Sequence, residues 1–310
     1  MMNMDAADET PLRDLRLVIF GLGLMGGSLA MALRGQVGDL VAVERQPDTR
    51  QLALRQGLVS VAVEDLSAVP RPVDLLVLAA PVRVILNTLG RLPALLPDGC
   101  AVLDLGSTKR AIVSAMDALP ESFAAIGGHP MCGKETSGLA SAASDLYRGQ
   151  TFFLCPSRRA TPALERTALA LIEAIGARPA FLDPAAHDAA VAAVSHLPAL
   201  LAAALMRVAG EERLWAASGP GFRDTSRLAG SDPRMMLDIL LTNREAVLAA
   251  LASYENELAV ARRALERGDE GALIEWLAAA QVNYAAYRRH KSAEYLLPIK
   301  PAAGQPGKIA

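Results

Sequence analysis

Cysteine is scarce. The 310 residues contain three, Cys100, Cys132 and Cys155, odd in number, far apart and without a CxxC pair. That spacing excludes a disulfide framework and the common thiolate zinc sites, and it implies a reducing, cytoplasmic setting. Histidine is equally sparse, with four residues and no two at ligand spacing, so no metal is expected. Basic runs are missing too: Lys+Arg 31 against Asp+Glu 33 leaves a net charge of -2, with no cluster able to neutralise a phosphate backbone, which argues against nucleic acid. Asp5, Asp8 and Glu9 precede the first apolar stretch, the reverse of a secretory leader. The uncharged run Leu17 to Leu33 approaches membrane-spanning length but is broken by Gly21, Gly23, Gly26 and Gly27 at turn spacing, so no membrane partner is expected. Aromatics make up 4% of the chain while Ala, Leu and Val dominate, a composition suited to buried parallel strands covered by helices.

What is present divides at Pro184. Before it, short apolar runs alternate with amphipathic stretches. Leu15 to Phe20, Leu40 to Glu44, Val73 to Ala80, Ala101 to Leu105, Phe152 to Cys155 and Pro179 to Leu182 read as strands. The alternation predicts an α/β fold, a doubly wound Rossmann-type parallel sheet, over residues 12–183. From Pro184 the pattern is helical, over Pro184 to Gly210, Pro233 to Glu266 and Glu270 to Tyr295, with Pro198 expected to kink the first helix. This all-helical domain spans 184–297, and the Pro- and Gly-bearing tail 298–310 reads as disordered. Its apolar stripes, among them Leu237, Leu241, Leu248 and Leu277, exceed what three helices bury against each other. They suggest a homodimer.

Gly21, Gly23 and Gly26 form GxGxxG between a strand and the head of the helix Ser28 to Leu33. There the first glycine permits a tight turn, the second lets the backbone approach a pyrophosphate, and the third seats helix on strand. Gly21, Leu22, Gly23, Leu24, Met25 and Gly26 are thus candidate NAD contacts at a helix N-terminus. Glu44, ending the next strand, is placed to accept hydrogen bonds from the ribose hydroxyls and to repel a 2′-phosphate, favouring NAD over NADP; the adjacent Arg45 pulls the other way. Ala80, Pro81 and Ser107 follow the next strands and fall beside the nicotinamide half. A glycine-rich turn without a ligand is the weaker alternative.

Three further segments stand in a telling order: Asp104-Leu-Gly-Ser-Thr-Lys109, Gly127-Gly-His-Pro-Met-Cys-Gly-Lys-Glu135 and Phe222-Arg-Asp-Thr-Ser-Arg-Leu-Ala-Gly-Ser-Asp-Pro233. With GLGLMGGSLA and Val194-Ser-His-Leu-Pro198, they resemble the prephenate/arogenate dehydrogenase family of tyrosine biosynthesis over roughly residues 15 to 295. The resemblance implies oxidation of a cyclohexadienol ring carbon by hydride transfer to NAD, with loss of the ring carboxylate as carbon dioxide. It assigns His129 as the base, Ser107 as its hydrogen-bonding partner, Arg227 as the holder of the ring carboxylate, and Glu135 to the site entrance. Imidazole suits the first role because its ordinary pKa lies near neutrality. Context also points to His129, after an apolar strand ending in Gly127-Gly128, where backbone approaches a ligand.

Arg223, one turn before Arg227, is either a helper at the mouth or a solvated side chain, and Asp224 is an ion-pair partner for either arginine. Many family members carry a second histidine in Ser-His-Leu-Pro-His where this chain has Ala199. Ser195 or a partner subunit is then left to meet the substrate side chain, and prephenate and arogenate both stay open as substrates. Cys132, three residues after His129, is either close enough to the site to be reactive or a small buried hydrophobe. Among the other histidines, His196 reads as a packing residue, and His187 and His290 carry no signal. Two rivals remain. A 3-hydroxyacid dehydrogenase would need a lysine on the helix after Pro184, where none occurs through Gly210. A non-catalytic NAD sensor would make the co-occurrence of His129, Ser107 and Arg227 a coincidence.

Overall fold

In the computed structural model residues 12–296 are described, with side chains to Lys291. The acidic start and the tail 298–310 lie outside the described residues. Eight strands form one sheet: β1 Arg16–Phe20, β2 Asp39–Val43, β3 Val61–Val63, β4 Leu75–Leu78, β5 Ala101–Asp104, β6 Ala124–Pro130, β7 Thr151–Pro156 and β8 Arg178–Phe181, in the order β3-β2-β1-β4-β5-β6-β7-β8. The central strands are apolar on both faces because helices cover both. Leu17, Val18, Ile19, Leu76 and Val77 are wholly buried. Each such side chain contributes about 1.5–3 kcal/mol through burial.

The helices α1 Leu24–Leu33, α2 Pro47–Arg55, α3 Val82–Leu95, α4 Arg110–Asp117 and α5 Pro162–Ala174 connect the strands. One strand escaped the sequence reading, and another runs further than expected. β3 is three residues long with only half-buried side chains, so its apolar signal is weak. β6 runs through Gly127-Gly128 to Pro130, so His129 lies within the strand instead of after it.

The sheet is parallel except that β7 runs antiparallel to β6, pairing His129 with Phe153. The cause lies in the connection 131–150. It contains a single short turn of helix, Leu139–Ser141, and folds back over α1 instead of crossing the sheet, whereas a parallel return needs a crossover.

The helical half is more broken than its periodicity suggests. It comprises α6 Pro184–Val191, a π-turn Ala192–His196, α7 Leu197–Val208, α8 Glu212–Trp215, α9 Pro220–Ser226, α10 Pro233–Thr242, α11 Arg244–Arg267 and α12 Glu270–Leu296. Asp183 caps α6 through the N–H groups of Ala185 and Ala186, and Asp232 caps α10 through Arg234 and Met235, each followed by proline in the first turn. The deviation near Pro198 is the π-turn that precedes it. The expected helix Pro233 to Glu266 is interrupted at Asn243, whose buried amide bonds to α6 instead of solvent. Gly268, at φ 61°, ends α11 and turns the chain into α12.

Leu237, Leu241, Leu248, Ile274, Leu277 and Val282 of the helical half are exposed. The run Pro184–Val208 is long and apolar enough to cross a membrane by length and composition. Yet His187 and Asp188 within it are fully engaged in hydrogen bonds with the sheet half, which tie it to the core.

Candidate active site

The strand order reverses its direction of succession between β1 and β4, and the carboxyl ends of these strands carry the glycine turn and Ala79 to Pro81. In open α/β sheets ligands bind at such a switch point. Gly21 adopts φ 98° and a Cβ there would lie 2.6 Å from the Ala79 carbonyl oxygen. At Gly26 a Cβ would lie 1.9 Å from the Gly21 carbonyl oxygen and about as close to Ile19 and Ala79 as packing allows. Gly23 differs: its missing Cβ faces open space. One glycine therefore serves the turn, one serves helix packing, and the middle one keeps a surface clear.

Helix α1 starts earlier than expected, at Leu24, with Gly23 as N-cap and no side chain capping it, so its first N–H groups are available to a phosphate. The Glu44 carboxylate accepts hydrogen bonds from the Leu22 N–H at 2.9 Å and the Gln46 N–H at 2.9 Å, which fixes it beside the turn with lone pairs to spare. Arg45 is exposed. These residues fit a dinucleotide. Tyr147, which the sequence did not single out, holds the same turn: its fully buried ring donates from the hydroxyl to the Met25 carbonyl at 2.6 Å. The fully buried Ser28 hydroxyl accepts from the Ala143 N–H.

Behind the crevice lies a buried ion pair. The Lys109 ammonium meets the Asp104 carboxylate with neither side chain exposed, and donates a second bond to the Gly128 carbonyl at 2.6 Å. Asp104 accepts in addition from the Gly106 N–H at 2.7 Å and the Gly128 N–H at 3.0 Å. This corrects the reading of Gly127-Gly128. A Cβ on Gly127 would press on Val113 and the Lys109 stem, and one on Gly128 would lie 2.5 Å from the Asp104 carbonyl oxygen, so the pair makes room for protein and not for a ligand.

His129 is half-buried near the end of β6. Burial, then the Lys109 ammonium, then the neighbouring imidazoles His187 and His196 hold its pKa well below the usual histidine range, so the ring is neutral near pH 7. Its Nδ1 lies 2.9 Å from Nε2 of His187, and the two rings meet edge to face with centroids 5.1 Å apart. His187 is wholly buried, packs its edge on Phe153, and places its own Nδ1 2.9 Å from an Asp188 oxygen. Asp188 also accepts from the backbone N–H groups of Lys109 (2.7 Å) and Arg110 (2.9 Å), capping α4.

Asn243 donates to the Asp188 carbonyl and to Nδ1 of the buried His196, completing the network. The expected contact of Ser107 with His129 is not formed: among the described residues no hydrogen bond joins them, and His187 takes that place. Nor does Ser107 cap α4, a task that falls to Asp188.

Arg227 ion-pairs with Glu135, bringing two of the expected substrate residues together across the two halves of the chain. Both are largely exposed, and the Glu135 backbone N–H together with Arg227 holds the Glu135 carboxyl below its usual range. Asp224 pairs with Arg223 at 2.9 Å and leaves Arg227 to Glu135. Ser195 is exposed on the π-turn, while Ala199 on α7 is buried. Cys132 packs against the core, and burial pushes its thiol up to about 12, the profile of a small hydrophobe and not of a reactive thiolate. Among the described residues no cluster of three or more His, Cys, Asp or Glu is arranged to hold a metal ion.

Comparison with known proteins places these features in a lineage. Residues 29–180 match the family described as prephenate dehydrogenase, nucleotide-binding domain, and residues 183–279 match its dimerization domain. Cyclohexadienyl dehydrogenase of Zymomonas mobilis is 30% identical over 84% of this chain and 91% of its own length. Among solved structures, prephenate dehydrogenase from A. aeolicus in complex with hydroxyphenyl propionate and NAD+ superposes with a TM-score of 0.82 at 29% identity, covering 88% of this chain and 98% of that one. Arogenate dehydrogenase from Synechocystis superposes at 0.76 with 31% identity, covering 88% and 100%.

Proposed function

The chain belongs to the prephenate dehydrogenase family, and on that premise we propose that it is an NAD-dependent enzyme that oxidatively decarboxylates prephenate to 4-hydroxyphenylpyruvate in tyrosine formation. The observation that carries the reading is the neutral His129 imidazole, held by a hydrogen bond on one nitrogen, in the sheet that carries an uncapped glycine-turn helix. NAD, when bound, supplies the hydride acceptor. The open face of Gly23 and the free N–H groups of α1 suit its pyrophosphate, and Glu44 suits its ribose.

His129 takes the proton of the ring hydroxyl as the carbon that bears it loses hydride, leaving a carbonyl. The bond to the ring carboxylate then breaks, carbon dioxide departs, and the released electron pair completes the aromatic ring as the carbonyl oxygen takes back the proton held by His129 and becomes the phenol hydroxyl. The Arg227 guanidinium suits a carboxylate as a bidentate fork, and its present partner Glu135 is itself a carboxylate. Arg223 and Ser195 are exposed and available to the substrate.

A second reading, arogenate as substrate with tyrosine as direct product, draws support from the 31% likeness to the Synechocystis enzyme. We further propose a cytoplasmic homodimer, in which a second copy covers the exposed Leu237, Leu241 and Leu248; a monomer by light scattering would contradict it. The deciding assay offers prephenate and arogenate in parallel with NAD and with NADP. Reduced NAD formed from prephenate is the expected result. Silence with both substrates by a protein that binds NAD would remove the reading.

A further inference from the structure

The direction of each hydrogen bond between Asp188 and His129 follows from what each atom is able to do. Asp188 faces donors on both oxygens, the Lys109 and Arg110 N–H groups at the head of α4, so its carboxylate acts as an acceptor throughout. The His187 Nδ1 that lies 2.9 Å from it must therefore carry a proton. A neutral imidazole with its proton on Nδ1 presents a lone pair on Nε2, and that lone pair points at Nδ1 of His129 from 2.9 Å. The His129 Nδ1 must then be the donor. One nitrogen of His129 remains, Nε2, and it is left with its lone pair.

We propose that His187 is a positioning residue, which together with Asp188 locks His129 in the Nδ1–H tautomer and so presents Nε2 as the proton acceptor. This rests on the dehydrogenase reading for its use, though not for its geometry. The alternative tautomer of His129 would set two lone pairs against each other at hydrogen-bond distance. It would also put a proton where the base needs none.

Burial of His187 supports the same conclusion. It is wholly inside the protein, its ring is wedged between His129 and Phe153, and no rotation exchanges its two nitrogens without breaking both bonds. The groups facing the pair are Lys109, Asp188, His196 and, beyond Lys109, Asp104. Burial, and after it the Lys109 ammonium, lowers the affinity of His129 for a second proton, so the neutral ring is the working form.

Two measurements on the full-length protein test this. With only four histidines in the chain, long-range proton–nitrogen correlation spectra of 15N-histidine-labelled protein resolve each ring, and a His129→Gln sample assigns the one in question. The expected spectrum at neutral pH shows His129 protonated on Nδ1 and unprotonated on Nε2. The opposite pattern, or an averaged one, overturns the proposal. This readout needs no turnover, so it stands even if neither substrate reacts.

The second measurement is kinetic. His187→Leu, which removes the acceptor, is expected to lower kcat roughly 10- to 1,000-fold, with the KM values for substrate and NAD changed less than about threefold. His187→Gln, whose amide oxygen offers an acceptor at the position of Nε2, is expected to recover most of the loss. A His187→Leu enzyme with wild-type kcat overturns the proposal. So does one in which kcat and both KM values shift together and His187→Gln brings no recovery, the signature of a structural role alone.

Discussion

Lys109 and Asp104 face each other five positions apart in sequence, across the turn that follows β5, with no solvent on either side chain. Backbone of β6 and of the turn adds one acceptor for the ammonium and one donor for each carboxylate oxygen. Such a pair adds little net stability, but halving it is costly, because the survivor is a buried charge without a partner. Lys109→Met is expected to destabilise the fold by about 3–5 kcal/mol, read from urea unfolding. The double change Lys109→Met with Asp104→Leu should recover part of that loss.

The two glycines Gly23 and Gly26 make opposite predictions. Gly23→Ala meets nothing within 4 Å, so its thermal midpoint should stay within a few degrees of wild type while NAD affinity falls at least tenfold. Gly26→Ala collides with the Gly21 carbonyl and should lose folded protein outright. Calorimetry and an NAD titration on the same samples separate the two.

His129→Gln removes the base and keeps the hydrogen-bonding bulk. Turnover is expected to drop roughly 100- to 10,000-fold, with NAD affinity within about threefold of wild type. Equal losses in turnover and NAD affinity would point to a misfolded site.

Arg227 ends the present ion pair on a largely exposed surface, so its removal should leave stability within about 0.5 kcal/mol. Arg227→Ala is instead expected to raise the KM for substrate roughly 10- to 100-fold, the worth of a charge-assisted bond to a carboxylate. Glu135→Gln, which releases the guanidinium from its intramolecular partner, should change that KM in the other direction or leave it unchanged.

Acid should weaken the fold through its histidines. Burial, with His187 adding to it and Asp188 opposing, holds His196 at about 4 against an ordinary 6.5. Below pH 6.5 the unfolded chain takes up a proton that the folded chain refuses, so stability falls as pH drops from about 6.5 to about 4 and levels off beneath. At about 1.4 kcal/mol per unit the loss from His196 approaches roughly 3 kcal/mol, and His129, also shifted down, adds in the same sense. Urea midpoints across that range test the slope, which His196→Gln should flatten in part.

Much of this was legible in the chain itself, for local reasons. The glycine turn reads from sequence because its three constraints lie within six residues and are flanked by a strand and a helix. His129 stands out in the sequence by the family resemblance of its segment, while the glycine-pair setting read for it is one the fold does not provide. Its partner does not stand out: His187 is 58 positions away, on an element of a different kind, and one histidine in an Ala-rich helix gives no sign of what it touches. Tyr147 is hidden likewise, since its bond to Met25 spans 122 positions.

β7 was read as a strand but not as an antiparallel one, because strand direction is set by the path of residues 131–150, which leaves no periodic trace. Gly127-Gly128 misled in an instructive way. A glycine pair announces close approach of something, and only the fold says whether that something is a ligand or, as here, the stem of Lys109 and the ring of Phe152.

The π-turn at Ala192–His196 has a consequence for how this chain tolerates change. It accommodates one residue more than an α-helical turn does, and it lies between two buried faces, that of His187, Asp188 and Val191 before it and that of Ala199 and Ala202 after it. Deleting one residue there would yield a regular helix of better local hydrogen bonding and leave everything downstream in nearly the same angular phase, because the five residues of the π-turn sweep about the angle of four in an α-helix. Deleting one residue from the regular turns of α6 would instead rotate everything downstream by about 100°. Ala199 and Ala202 would then swing toward solvent and the charged side chain of Arg207 toward the protein. The surplus residue is thus slack in the helix. A one-residue deletion is easier to absorb within this turn than in the α-helical stretches on either side of it.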